Sequence, residues 1–379
     1  MRVMIIAERF PPHHGGLAKS THRIAQGIAK EVSEVHILAK DTAVERGDIH
    51  SAIEDGLIVH RFGQFPDEDK NNMSLCLALE LLHLSHPFDV LMGIYVTMAG
   101  FIAVFEGKML GVPSLIMVRG NDIDRDIFRA DRNFFVRYAI ENADAVGCVS
   151  KELVKKCKAL VERGRIYYTP NGVDTEIFTP GESDEELRKR YGLDGLVVGF
   201  SGQMRFKKGM SHFLSVAEEV ASELGDVKFL LVGGVRSDDT KEYKKIRRES
   251  KELRKVIVET PYFSDREELC KHYRLMDVLF VPSYWEGMPN SVLEAFACGI
   301  PAISSTAGGL KELVIHGKTG FAFPAGDYKS ALENLLTALK MPAEKRAEMG
   351  RNARRLVMAK YTTEMEIKRI TRILNTISH

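Results

Sequence analysis

Two glutamates, Glu286 and Glu294, stand eight positions apart in the segment Ser283-Tyr284-Trp285-Glu286-Gly287-Met288-Pro289-Asn290-Ser291-Val292-Leu293-Glu294-Ala295. A Gly-Met-Pro-Asn turn separates them, and an apolar helical pattern begins just before the second. A loop carboxylate can accept hydrogen bonds from sugar hydroxyls. The N–H groups of a helix start suit a diphosphate, and a carboxylate one turn further in can hold a ribose. The same letters also have a plain structural reading. Ser291-x-x-Glu294 spells a capping box, in which Glu294 only satisfies the helix start.

Three further loops have the same grammar, an apolar run followed by glycine and a helical pattern. The first is Phe10-Pro11-Pro12-His13-His14-Gly15-Gly16, where paired glycines let backbone approach a ligand closely. It lacks the G-x-G-x-x-G dinucleotide fingerprint, which disfavours a nicotinamide cofactor. The second is Ser201-Gly202-Gln203-Met204-Arg205-Phe206-Lys207-Lys208-Gly209, whose cations could neutralise a departing diphosphate. It is not a Walker loop, because Gly209 follows Lys208 where Ser or Thr belongs. The third is Ser304-Ser305-Thr306-Ala307-Gly308-Gly309. Each alone also reads as an ordinary turn, but four such loops in one chain are harder to explain separately.

The elements that must position these loops alternate. Arg2–Ala7, Val35–Ala39, Phe88–Ile94, Ser114–Val118 and Ala145–Val149 read as short buried strands, with Leu17–Glu31 as a helix. After the polar break Thr179-Pro180-Gly181-Glu182 the pattern restarts. Leu196–Ser201, Val227–Val232, Val256–Glu259, Asp277–Pro282 and Pro301–Ser304 read as strands, and Gly209–Leu224 as a helix. Short apolar runs alternating with helices predict parallel sheets covered on both faces, the α/β class. The chain therefore divides into a domain over residues 1–178 and a second over 179–361, with a last helix over 362–379 free to return to the first domain. Two doubly wound domains create a cleft, and ligands of such sheets bind beyond the carboxyl ends of the strands.

The 379 residues exceed one ordinary core, and 45% hydrophobic with 28% charged residues fits a globular protein. A formal net charge of +1 gives no basic field for nucleic acid. Five cysteines without a C-x-x-C pair suggest reduced cytosolic thiols rather than zinc. The amino terminus reads as a strand, without a signal peptide. The apolar stretch 90–105 is shorter than the roughly 20 residues of a membrane span and holds Gly93, Thr97 and Gly100, so it reads as a buried strand entering a core helix. Phe128, Arg129, Arg132, Phe134, Phe135, Arg137 and Tyr138 mix aromatics with arginines on one expected helix, a composition that suits either a domain helix or peripheral membrane contact. The basic run 241–255 reads as a solvated face.

Together these segments resemble the retaining glycosyltransferases of family 4, which have two Rossmann-like domains in the GT-B architecture. The resemblance rests on Pro11–Gly16, Pro170-Asn171-Gly172-Val173-Asp174, Lys208-Gly209, Glu286–Ala295, Gly299-Ile300-Pro301, Gly308–Glu312 and Gly317-Lys318-Thr319-Gly320-Phe321. It is specific over roughly 165–325 and looser before that. It implies a cytoplasmic enzyme, at most peripheral at the inner membrane face, that moves a sugar from a nucleoside-diphosphate sugar to a saccharide, lipid-linked or small-molecule hydroxyl. No metal and no cofactor is implied. Glu286 would meet the donor sugar, Glu294 the ribose, and the backbone of Gly287, Met288, Pro289, Asn290 and Ser291 the donor. Lys208 and Arg205 would hold the diphosphate, with Gly202 and Gln203 beside them. Gly15 and Gly16 would let the first domain close on the donor and acceptor.

Two positions depart from the family pattern. Gln203 follows Gly202 where the family usually has arginine, which leaves Arg205 as substitute. Arg119-Gly120-Asn121-Asp122 stands where the family often has a histidine, which points Arg119 toward an anionic acceptor or the leaving phosphate and Asn121 or Asp122 toward the sugar. The competing readings are a nucleotide-sugar-binding protein without catalysis and another GT-B enzyme, a phosphorylase or an epimerase.

Overall fold

The structure is a computed structural model that describes residues 1–13, 15–161 and 164–378. His14 of the first glycine loop lies outside the described residues, as does the last residue of the 362–379 segment. Runs of branched apolar residues form strands buried on both faces, and among the described residues they make two sheets. The first contains β1 (Arg2–Ala7), β2 (Glu34–Asp41), β3 (Ile49–Glu54), β4 (Leu57–Gly63), β5 (Val90–Ile94), β6 (Ser114–Val118), β7 (Ala145–Cys148) and β8 (Ile166–Tyr168). Its order is β3-β4-β2-β1-β5-β6-β7-β8, parallel except for the β3–β4 hairpin. The second contains β9 (Leu196–Ser201), β10 (Val227–Val232), β11 (Ile257–Thr260), β12 (Val278–Val281), β13 (Ala302–Ser305) and β14 (Gly320–Phe323). Its order is β11-β10-β9-β12-β13-β14, parallel throughout. That order is a Rossmann arrangement, and it reverses between β9 and β12, where such sheets bind ligands.

The chain falls into two units, Met1–Asn171 with the segment from Thr363 onward, and Gly172–Thr362. The division comes a few residues before the Thr179–Glu182 break in the sequence. Local pairing explains this: the Val173 N–H donates to the Tyr361 carbonyl at 2.9 Å, and the buried Phe178 ring packs edge-on to Tyr273. In the first unit the helix Thr363–Ile377 lies on the helix Gly16–Ala29. A Cβ on Gly27 would stand 2.3 Å from Ile367, and Arg23 grips Glu366 through two bonds of 2.8 and 3.1 Å.

The stretch 90–105 is a buried strand followed by a π-helical turn, Val96–Gly100, and then the helix Phe101–Leu110. Gly93 permits this, since a Cβ there would lie 2.5 Å from the Gly100 Cα. Among the described residues no helix is long and apolar enough to cross a membrane. The expected single helix over 128–138 is not formed. Phe128 ends a 3-10 turn, Asp126–Phe128, and the helix starts only at Asn133. Ion pairs explain the break: Arg129 turns to Asp131 and Arg132 to Glu68. Each unit also holds a pair of free, buried thiols in contact, Cys148 with Cys157 and Cys270 with Cys298, each 3.7 Å apart.

Beneath the first sheet lies a buried polar chain that the sequence did not announce. Ser51 Oγ is 2.7 Å from His60 Nδ1, and His60 Nε2 is 2.9 Å from His36 Nδ1. His36 also faces Glu34 at 3.6 Å, with His86 and Arg2 nearby. Burial holds both imidazoles below their usual value, His60 at about 4, with Glu34 pulling His36 the other way. Folded imidazoles therefore bind protons more weakly than unfolded ones. Their contribution is fully present above the unfolded value near 6.5 and is lost as pH falls toward 4. Between pH 7 and 4.5 the melting temperature of the wild type should fall by at least about 3 °C more than that of a His36→Phe/His60→Phe chain. Parallel curves for the two proteins would refute this.

Candidate active site

The loops after β9 and β12 meet at the order reversal of the second sheet. The Tyr284 N–H donates to the Lys207 carbonyl at 2.9 Å. Gly209 allows this approach, because a Cβ there would stand 2.0 Å from the Pro282 oxygen, and its φ is +76°. In consequence Lys208 forms an ion pair with Glu286. The Glu286 residue is only 7% exposed, and Ser283 Oγ donates to its Oε1 at 3.2 Å. Burial alone would raise its pKa. The charges of Lys208, Lys207 and Arg205 outweigh that and hold the carboxyl below its usual value. Glu286 is therefore an anion at neutral pH and a hydrogen-bond acceptor, not an acid. The structure brings Glu286, Lys208 and Arg205 together.

The loop after β13 props this arrangement from below. Ser305 Oγ donates to the Ser283 carbonyl at 2.5 Å, and the Gly309 N–H donates to the Gly287 carbonyl at 2.9 Å. Gly287, Met288 and Pro289 are buried and lead into the helix Asn290–Ala297. Its positive dipole end opens on the same loop.

The capping-box reading of Glu294 fails. The helix begins at Asn290, so Ser291 is inside it, and the N-cap residue is Pro289. Glu294 instead accepts a 2.7 Å hydrogen bond from the Tyr273 hydroxyl, which is also 2.8 Å from Ser201 Oγ at the end of β9. Burial, then the Glu294 charge, keeps Tyr273 protonated far above neutrality. Sequence reading missed Tyr273, whose hydroxyl fixes the Glu294 carboxylate in place. It sits on a polar helix, Arg266–Arg274, with no motif to single it out.

Gly202 has φ +113°, its N–H donates to the Val232 carbonyl at 2.8 Å, and Gln203 beside it is exposed. Gly15, with φ +117°, directly precedes Gly16, the first residue of its helix. Both lie in the first unit, as do Arg119 and Asp122 after β6. Asp122 is not available to a sugar, contrary to the sequence expectation. It is fully buried, and its oxygens accept the N–H groups of Arg119, Gly120, Ile123 and Val96 at 2.7–3.3 Å. Burial pushes its pKa up to about 6 against these donors. Its task is to fold the turn that presents Arg119.

Two Rossmann-like units, the second with an anion–cation pair at its order reversal, define a GT-B protein. Residues 183–356 match the profile of the glycosyl transferases group 1, and residues 14–177 match that of glycosyltransferase family 4. The chain belongs to the family 4 glycosyltransferases. It is 27% identical, over 95% of its length and 93% of the relative's, to a GDP-mannose-dependent alpha-mannosyltransferase of Mycolicibacterium smegmatis. Its fold is similar to sucrose-phosphate synthase of Thermosynechococcus elongatus, with TM-score 0.82 at 19% identity over 99% of this chain and 98% of the other. It is also similar to Anabaena Alr3699/HepE in complex with UDP-glucose, with TM-score 0.81 at 17% identity over 99% and 100% of the two chains.

Proposed function

We propose that this glycosyltransferase is a retaining enzyme that moves a hexosyl group from a nucleoside-diphosphate sugar to a hydroxyl acceptor without a metal. The observation that carries this is the buried Glu286–Lys208 pair on the loops after β12 and β9. The bond between the anomeric carbon and the diphosphate breaks, and its electron pair goes to the phosphate oxygen. Lys208 and Arg205 stabilise that charge as it grows. Glu286 accepts hydrogen bonds from donor hydroxyls. Glu294, aligned by Tyr273, receives the ribose. The acceptor oxygen attacks from the face the diphosphate leaves, and the acceptor proton passes to the leaving phosphate. The second unit then holds the donor and the first the acceptor. Metal independence is supported by these cations.

The relatives' names make GDP-mannose and UDP-glucose the first donors to try. One nucleotide sugar of a panel is expected to raise the melting temperature and to be hydrolysed slowly, with diphosphate release undiminished by EDTA. Stabilisation without cleavage, even with acceptors supplied, would make the chain a binding protein. No response to any nucleotide sugar would overturn the reading.

A further inference from the structure

Arg119, at the carboxyl end of β6, carries a charge that the described residues do not neutralise. Its Nη2 donates to Asn171 Oδ1 at 2.8 Å, a neutral partner just after β8. Its Nη1 is sealed from solvent and makes no hydrogen bond. The two carboxylates that act on it electrostatically are Asp122 and Glu366. Asp122 is taken up by four backbone N–H groups. Glu366, fully buried, is bound through both oxygens by Arg23, and Arg23 repels Arg119 in turn. Desolvation brings the Arg119 pKa down to about 10, so the group remains a cation at neutral pH. A half-buried guanidinium with one nitrogen sealed and no anion of its own is costly to fold. It stands at the edge where open α/β sheets receive ligands, and its planar fork matches a carboxylate or phosphate.

We propose that Arg119 is the receptor for a carboxylate or phosphate group of the acceptor, so that the acceptor of this enzyme is an anion. This rests on the glycosyltransferase reading. The donor diphosphate has its own cations, Lys208, Lys207 and Arg205, in the other unit. The unmet charge also makes a demand on stability that a purely structural arginine would not. Removing it relieves the free protein.

The test is thermal denaturation of the full chain with inorganic phosphate and with malonate as probes, in Arg119→Gln, Arg119→Lys and wild type. In anion-poor buffer Arg119→Gln should melt at or above the wild-type temperature. Phosphate or malonate at about 10 mM should raise the wild-type value by about 3 °C or more. Arg119→Gln should lose that rise and Arg119→Lys keep part of it, while nucleoside diphosphate stabilises all three equally. A destabilised Arg119→Gln with an intact phosphate response would make the residue structural and overturn the proposal. So would loss of the response to nucleoside diphosphate, or to a nucleotide uronic acid alone, since the anion would then belong to the donor. If Arg119→Gln does not fold, the proposal fails unless Arg119→Lys folds and weakens the phosphate response by about tenfold. Failure of the glycosyltransferase reading has a separate signature: wild type that answers phosphate but no nucleoside diphosphate.

Discussion

Glu286→Gln is expected to lower kcat for sugar transfer by about 100- to 1000-fold, in the range found when one preorganised electrostatic contact is removed. The substitution keeps the shape and one acceptor oxygen, so Ser283 and Lys208 retain a partner. It removes the negative charge that Lys208, Lys207 and Arg205 hold in place. Breaking a buried pair also costs stability, so the melting temperature must be measured on the same sample. A small drop in melting temperature with a large drop in kcat fits the assignment. Lys208→Met should lose a similar factor, and the double variant should lose much less than the product of the two, because the residues act as a unit. Wild-type turnover in Glu286→Gln, or fully multiplicative losses, would sink the assignment.

The second large effect comes from a residue that touches no substrate. Gly308 has φ +52°, and a Cβ there would stand 1.7 Å from the Glu286 carbonyl oxygen. Gly308→Ala must therefore move the backbone that carries Glu286. We expect a loss of about 3 kcal/mol or more, through the overpacking and the positive φ together. Activity should fall at least about tenfold at temperatures where the chain is still folded. Gly317→Ala is the matched control. Its φ is +72°, but nothing lies within 4 Å of the added carbon, so only the backbone strain of about 1 kcal/mol applies. If the two variants melted and turned over alike, the loop after β13 would not be the support described above.

Much of this was legible in the letters. β6, β9 and β10 fall on the apolar runs read as strands, because branched residues bounded by turns leave little choice. The β3–β4 hairpin was not read. Its outer strand is mostly exposed and its apolar residues do not alternate with polar ones, although Asp55-Gly56 between the strands was a usable turn signal. β8 and β14 are only three and four residues long. In the site, the glycine loops declared themselves by composition. The fates of the carboxylates did not. Asp122 and Glu286 look alike in sequence, a carboxylate on a loop after a strand. One is consumed by backbone N–H groups and the other is paired with a lysine from the loop after the neighbouring strand β9, far away in sequence. Only the tertiary fold separates those cases. For the same reason Glu294 reads locally as a cap and is in fact aligned by Tyr273.

The order of the second sheet has a consequence for the life of the chain before it works. Lys208 and Glu286 are 78 positions apart (286 − 208), and β12 lies beside β9 with β10 and β11 on the other flank. Such a pairing closes a long loop, which makes it a late event in folding. A chain stalled with its first three strands of this unit assembled would carry Lys208 without its glutamate. The Lys208–Glu286 pair therefore exists only once the two sides of the sheet are joined.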